Sequence, residues 1–525
     1  MNKEANNKVK FTMSEIRGIL LVIFGLAALG FYYQWWFTED QMRSPWLVAA
    51  FGVAIIYGVV QLFGNWVLYL ATHRATKKPM PTAIPDITVD VFVTACGEST
   101  DLVERALTAA RDMRGSHRTW LLDDGADPAL EKLADRLGVD YLTRSGSKDL
   151  KAGNVNAALA RTNGDVVAIF DIDHAPKPDF LERTLGYFSD PDIGFVQVML
   201  TFENGKDGWV AQAASDSSLD FYNPTSIGSD GLGSATLVGS NAIIRRTTLE
   251  SIGGYHPGLA EDLATSIAIH AEGWQSVYVA EPLAPGYAPP DLAAWFTQQL
   301  KWARGVFELL ITDYPRYFRK LTLGQKVSYA VRMTYYWIGP VVLLHLLTTL
   351  VVLLKGDHDG LNSYQNYLIH LAPLTFMTMI IRSLALRRWK HRSISPNLQI
   401  KPMALVYATW PIYALAWIMA ILRVPLGFRA TPKSANGTVK PRWMLPQMVT
   451  IVLLSIGLLI SPITLTNFQL LLVFGFVISQ VVAHSVLLGQ WMHASMAKPV
   501  AAYKRSAPTN PLMNNWRMAE SKQHF

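Results

Sequence analysis

The sequence predicts an α/β domain with a mostly parallel sheet, carried between pairs of membrane-spanning helices. Three observations lead there. Apolar residues crowd into both ends of the 525-residue chain and leave a mixed, charged middle. From about residue 88 to about 290, short apolar runs alternate with amphipathic stretches, as in strand–helix–strand units. Within that middle, the run Asp165-Val-Val-Ala-Ile-Phe170 reads as a buried parallel strand that stops at Asp171-Ile-Asp173.

The first elements are apolar. Residues 17–37 and 46–70 are each long enough to cross a hydrocarbon core of roughly 30 Å. Their linker holds Glu39, Asp40 and a single base, Arg43, whereas His73-Arg-Ala-Thr-Lys-Lys78 follows the second run. Basic residues stay on the cytoplasmic side, so both ends of this pair are expected inside. The polar residues 1–16 form a tail. The first apolar run is too long for a signal peptide and has no small-residue cleavage site after it. Pro79, Pro81 and Pro85 then mark a linker.

The middle domain, 79–290, is expected in the cytoplasm. Val89–Val93, Thr119–Leu122, Val166–Phe170 and Gly194–Met199 look like strands, and Asp101–Met113, Pro128–Leu137 and Asn154–Ala160 like helices. Interfacial helices are expected over 291–329. Apolar character returns at 333–354 and 366–385, then at 446–461 and 468–491. Residues 403–424 are apolar too, but both flanks are basic: Arg387, Arg388, Lys390, Arg392 and Lys401 before, Arg429, Lys433, Lys440 and Arg442 after. Crossing would strand one basic flank outside, so this stretch is expected to lie on the cytoplasmic face, within a cytoplasmic segment 386–445. The result is six spans in three hairpins with a cytoplasmic tail, 492–525. The alternative is seven spans with the C-terminus outside.

The formal charge of +7 is the mark of basic loops at a membrane and not of nucleic-acid binding. Cys96 is the only cysteine, which excludes an internal disulfide and a cysteine-rich zinc site.

Five motifs carry chemistry. Asp171 and Asp173, at i and i+2 of a strand end, point the same way and suit a hard cation such as Mg²⁺ or Mn²⁺. Carboxyl ends of strands are where open α/β sheets bind ligands, although most isolated Asp-x-Asp pairs are solvated loop acids. Asp123-Asp124-Gly125 also follows an apolar run; its acids can accept from a uracil N–H or ribose hydroxyls, and its plain reading is a turn. Lys148 and Lys151-Ala-Gly-Asn154 precede a helix, whose N-terminus suits phosphate; otherwise they are surface charge. Glu261-Asp262 opens a helix, so Asp262 reads either as a cap or as a general base. Gln298, Lys301, Trp302 and Gly305 share one helical stripe. A cation and an indole on one face would stack a sugar and meet a phosphate; the plain alternative is a membrane-surface helix with snorkelling bases.

In this order and spacing the motifs resemble the processive family 2 glycosyltransferases, above all the cellulose synthase group, with its D…DxD…TED…QxxRW series in a GT-A domain between membrane helices. The resemblance covers roughly residues 45–491. It extends to Gly239-Ser-Asn-Ala242 with Arg245-Arg246, to His270-Ala-Glu-Gly-Trp274, and to Phe428-Arg-Ala-Thr-Pro-Lys433, which looks like the FxVTxK gating loop. Three positions depart from the pattern. Ala260 replaces the Thr of TED, Ala430 the Val of the gating loop, and Lys301 the Arg of QxxRW, which keeps charge but loses the planar fork. Arg304 is the candidate to compensate.

The resemblance implies a membrane enzyme that polymerises a UDP-sugar, UDP-glucose first, into a β-glucan such as cellulose and passes it across the membrane. Asp171 and Asp173 would hold the metal, and Asp262 would be the base. Thr94, Glu98, Asp123, Asp124, Lys151, Gln298, Lys301 and Arg304 would bind the donor, Glu261 and Trp302 the acceptor, and Phe428, Thr431 and Lys433 would close over UDP. Membrane lipid, the growing polysaccharide and export or periplasmic accessory subunits are the expected partners. No PilZ-like domain follows residue 491, so cyclic-di-GMP control is not expected. The alternatives are a β-1,3-, mixed-linkage or aminosugar polymer, single-sugar transfer to a lipid phosphate, and a transporter with a nucleotide-sensing domain. Against the transporter, the apolar stretches carry almost no ionisable residues. The aromatic residues Tyr335, Tyr336 and Trp337 would line a polymer channel or sit in an interfacial belt.

Overall fold

A computed structural model describes residues 13–37, 45–75, 86–146, 148–355, 364–388, 400–427, 440–461 and 469–496. Phe428, Thr431 and Lys433, and most of both tails, lie outside the described residues. Among the described residues, nine strands follow in chain order: β1 (Val89–Ala95), β2 (Arg118–Asp123), β3 (Asp140–Thr143), β4 (Val166–Asp171), β5 (Ile193–Val198), β6 (Thr201–Phe202), β7 (Ala242–Arg245), β8 (Gln275–Val279) and β9 (Pro285–Gly286).

Seven of them form one sheet in the order β3-β2-β1-β4-β7-β5-β8, while β6 and β9 pair separately. All main-sheet pairings are parallel except the two that β7 makes. The chain runs outward from β1 to β3 and returns to β4 on the other side of β1. That reversal puts a topological switch point between the carboxyl ends of β1 and β4, where such sheets hold ligands. Register aligns Thr94 with Asp171, and Ala95 with Asp123.

β4 is apolar throughout because both of its faces are covered. Val166, Ala168 and Phe170 join the core beneath helices 100–111 and 128–137, whereas Val167 and Ile169 join the core beneath helix 150–159. Phe170 is fully buried; truncating such a side chain to Ala costs about 3–5 kcal/mol.

Among the described residues, five helical stretches are long and apolar enough to cross a membrane: 16–36, 52–71, 323–351, 400–421 and 475–495. The apolar parts of two further helices, 369–385 and 445–460, are shorter. The stretch 400–421 is two helices, Ile400–Tyr407 and Trp410–Ile421, and a little over half of it is buried inside the protein. It packs on helix 292–311, where Trp295 Nε1 donates to Thr409 Oγ1 at 2.9 Å and the Tyr413 hydroxyl to Gln299 Oε1 at 2.9 Å.

Candidate active site

Strand alternation puts Asp171 on the same face as Val167 and Ile169. Helix 150–159 covers that face through Ala152 and Val155. Lys151 therefore lies in the helix's first turn, not ahead of the helix as expected, and its ammonium pairs with Asp171 Oδ1 and the Gly239 carbonyl. Burial opposes charge on both groups, but the pairing prevails. Lys151 is held above its ordinary pKa by Asp171, Glu261 and Asp262, and Asp171 is held below its own by Lys151. From β1, the Thr94 hydroxyl sits 3.4 Å from Asp171 Oδ1.

Asp173, expected to share the strand face of Asp171, lies beyond the strand, because β4 ends at Asp171. A turn follows, closed by the His174 N–H donating to the Asp171 carbonyl at 2.9 Å. It buries Asp173 and His174, with His174 Nδ1 3.6 Å from Asp173 Oδ1. Each of Asp171, Asp173 and His174 offers a ligand atom within 4.8 Å of the others. Neither His174 ring nitrogen has a hydrogen-bond partner among the described residues, although both are buried. A buried imidazole without partners beside two carboxylates fits a divalent cation. His174 was not among the expected ligands; its place directly after Asp173 was the only signal.

Thr94, Glu98, Asp124, Lys151, Asp171 and Asp173 line one cavity of 2160 Å³ together with Glu261, Asp262, Gln298, Lys301 and Trp302. Glu98 accepts from the Cys96 N–H at 2.6 Å. Asp124 is held by Arg144 through two bonds of 2.6 and 3.0 Å. Asp123, expected on the nucleoside, is turned inward: it accepts from the Gly125 N–H, the Asp127 N–H and the Tyr141 hydroxyl at 2.7–2.9 Å and does not line the cavity. Arg304, expected beside Lys301, is likewise off the cavity. It is buried, 2.8 Å from Glu308 and 3.5 Å from the Val424 carbonyl. Lys148 is exposed.

Glu261 and Asp262 begin helix 261–271, whose N-cap is Ala260, so Asp262 is not the cap. One Asp262 oxygen accepts the Leu263 N–H at 2.7 Å. Burial raises the pKa of both carboxyls. Repulsion from Asp262 raises that of Glu261 further, while Arg332 pulls Asp262 back. Arg332, another unexpected residue, lines the cavity, donates to Thr236 Oγ1 and lies 4.8 Å from the Phe221 ring centroid. Burial pushes the Cys96 thiol up to about 12, which leaves it a poor nucleophile.

The QxxKW helix, Leu292–Ile311, meets the 259–262 segment through Gly305. A Cβ there would lie 2.8 Å from the Ala260 nitrogen and 2.9 Å from the Leu259 carbonyl carbon. The absent side chain therefore lets Lys301 and Trp302 share the cavity with Asp262. The same cavity continues among Tyr33, Tyr57, Gln61, Asn65 and Tyr69 of the first two helices and past Tyr335 and Tyr336.

This sheet, with its acid–acid–histidine cluster at the switch point, has the GT-A arrangement and is joined to a region of long apolar helices. Residues 166–422 match the glycosyl transferase family group 2. The chain is 30% identical over 390 residues to "Cellulose synthase 1" of Komagataeibacter xylinus, covering 71% of this chain and 25% of that protein. It is 31% identical over 356 residues to the "Cellulose synthase catalytic subunit [UDP-forming]" of Pseudomonas fluorescens, covering 64% of this chain and 48% of that one. The chain thus spans a quarter to about half the length of these relatives. A mannosyltransferase from Pyrobaculum calidifontis, solved with GDP-Man and Mn²⁺, shares the fold with a TM-score of 0.51 at 17% identity, covering 71% of this chain and 99% of that one. The chain belongs to the family 2 glycosyltransferases and is cellulose synthase-like.

Proposed function

We propose that the protein transfers glucose from UDP-glucose to the end of a β-glucan and passes the product through its helix bundle, with the catalytic domain in the cytoplasm. The observation that carries this is one cavity joining the acidic cluster, the buried Asp262 and the Lys301–Trp302 face to a tyrosine-lined path among apolar helices. The name of the Pseudomonas fluorescens relative, UDP-forming, supports the nucleotide.

A divalent cation held by Asp171, Asp173 and His174 would neutralise charge on the diphosphate; the imidazole in this set favours Mn²⁺ over Mg²⁺, which prefers oxygen ligands. Asp124, Thr94 and Glu98 face the nucleoside. Lys151 and Lys301 place positive charge where the leaving UDP gathers negative charge. Asp262 accepts the proton of the acceptor hydroxyl as that oxygen forms its bond to the anomeric carbon. The bond to UDP breaks on the opposite face, so a single displacement turns an α-linked donor into a β-linked product. Trp302 stacks on the terminal acceptor ring, and Glu261 flanks that ring.

The test supplies radiolabelled UDP-glucose with Mn²⁺ or Mg²⁺ to membranes bearing the protein, then digests the product with linkage-specific glucanases. Polymer sensitive to a β-glucanase is the expected result. Label found only in lipid, or no incorporation from UDP-glucose, rejects the reading.

A further inference from the structure

We propose that Arg144 is the positioning residue for the nucleotide end of the donor site, fixing both the carboxylate of Asp124 and the turn that presents Lys151. The ligand whose binding depends on it is a nucleoside diphosphate. This rests on the donor reading above and assigns a role to a residue that never touches the donor.

Arg144 follows β3 directly, and one guanidinium makes four hydrogen bonds. Nε donates to Asp124 Oδ1 at 2.6 Å and Nη2 to Oδ2 at 3.0 Å. Nη1 donates to the Lys148 carbonyl at 2.6 Å, and Nη2 also to the Leu150 carbonyl at 2.8 Å. The two side chains are only 12% and 5% exposed. Exposed ion pairs of this kind contribute little, but a buried bidentate pair fixes orientation as well as charge. Asp124 lines the cavity and Arg144 does not.

Two independent features show that the backbone is built around this guanidinium. Asp149 and Leu150 both adopt left-handed backbone angles, with φ of 60° and 49°. Non-glycine residues stay in that region only where their surroundings impose it. The carbonyls of Lys148 and Leu150, on either side of Asp149, are the two that Arg144 holds. Furthermore, a Cβ on Gly153 would collide with the Lys148 carbonyl and the Arg144 guanidinium. The glycine of Lys151-Ala-Gly-Asn154 is therefore required by the seat of Arg144. Lys151 comes directly after the strained pair and carries the ammonium that meets Asp171. Arg144 thus joins the nucleoside end of the site to its phosphate end. A lysine cannot replace it, because a point charge cannot span two carboxylate oxygens and two carbonyls.

The experiment measures UDP affinity of the full chain by calorimetry, alongside KM and kcat with UDP-glucose. Arg144→Lys should weaken UDP about tenfold or more and raise KM equally, with kcat within about threefold and thermal unfolding close to wild type. Adding Asp124→Asn to Arg144→Lys should cost less than about twofold further, since both changes break one unit. Arg118→Lys, which alters an exposed bidentate pair with Asp140 elsewhere on the sheet, should leave UDP binding unchanged. Wild-type UDP affinity in a folded Arg144→Lys protein, full additivity in the double variant, or an equal loss in Arg118→Lys would each overturn the proposal. If Arg144→Lys does not fold, Asp124→Asn decides, and wild-type affinity there overturns it too. A wild-type protein that binds UDP but incorporates no glucose rejects the glucan reading and leaves this one standing when Arg144→Lys weakens UDP. A wild-type protein that binds no nucleoside diphosphate rejects both.

Discussion

To act as the proposed base, Asp262 must be ionised, and its surroundings work against that. Burial raises its pKa, and the opposing field of Arg332 does not fully cancel the effect. The active form is the deprotonated one, so turnover should rise with pH through a midpoint above the ordinary aspartate value of about 3.9. Asp262→Asn should lower kcat by about 10²–10⁴-fold at all pH values and leave UDP affinity near wild type; wild-type-like turnover in that variant removes Asp262 from the mechanism. Asp171, Asp173 and His174 form the proposed metal site. Chelation should abolish turnover and added Mn²⁺ restore it, and His174→Ala should raise the Mn²⁺ needed for half-maximal rate about tenfold or more. An unchanged Mn²⁺ requirement would show that His174 is not a ligand. These residues differed in how well the sequence exposed them. Asp171 and Asp262 were legible because each sits at a recognisable strand end or helix start. Asp123 and Asp124 are chemically identical neighbours, and only the fold shows that one closes a turn while the other faces the cavity. Arg144 and Arg332 carry no signal in side-chain pattern, because the Asp124 carboxylate and the Thr236 hydroxyl that they meet lie 20 and 96 positions away.

At the scale of elements, β4 was readable because burial on both faces makes it a continuous apolar run. β3 and β7 were not, at four residues each. β3 is only partly buried, and β7 enters the sheet antiparallel just after Asn241, which has a φ of 57°. No alternation of residues announces that reversal. The stripe on helix 292–311 was legible, but the reason for Gly305 was not, since it depends on a backbone some forty-five positions earlier. The helix cannot simply retreat, because Trp295 and Gln299 bind it to helix 410–421 and the residue before it. Gly305→Ala should therefore behave as an overpacked contact, costing about 1–3 kcal/mol. It should also separate Lys301 and Trp302 from Asp262, and small misplacements at a reacting centre are expensive, so kcat should fall about tenfold or more. Steady-state rates and thermal unfolding on the same preparation check this. A fall in stability with unchanged kcat would mean that the helix position does not control the chemistry.

For the whole molecule, the question is why helices long enough to span a bilayer carry polar groups facing inward. Tyr33, Tyr57, Gln61, Asn65 and Tyr69 line the same cavity as Asp171 and Asp262. Polar side chains within apolar helices are costly unless they face water, protein or a polar guest. Tyrosines supply an apolar ring for the face of a sugar and a hydroxyl for its edge, so a hydrated sugar chain fits this lining better than lipid does. Gly58 lies among these residues, and a Cβ there would meet only the Tyr33 hydroxyl, at 3.7 Å. Gly58→Trp would therefore project an indole into the tyrosine-lined part of the cavity from a position with room for a Cβ. If the product leaves by this path, that variant should make markedly shorter polymer, while KM for UDP-glucose and UDP affinity stay within about twofold of wild type, because the proposed donor site at the carboxyl ends of β1 and β4 is untouched. Size analysis of the radiolabelled product, paired with donor kinetics, reads both quantities. Polymer of normal length from Gly58→Trp would place the exit elsewhere in the bundle.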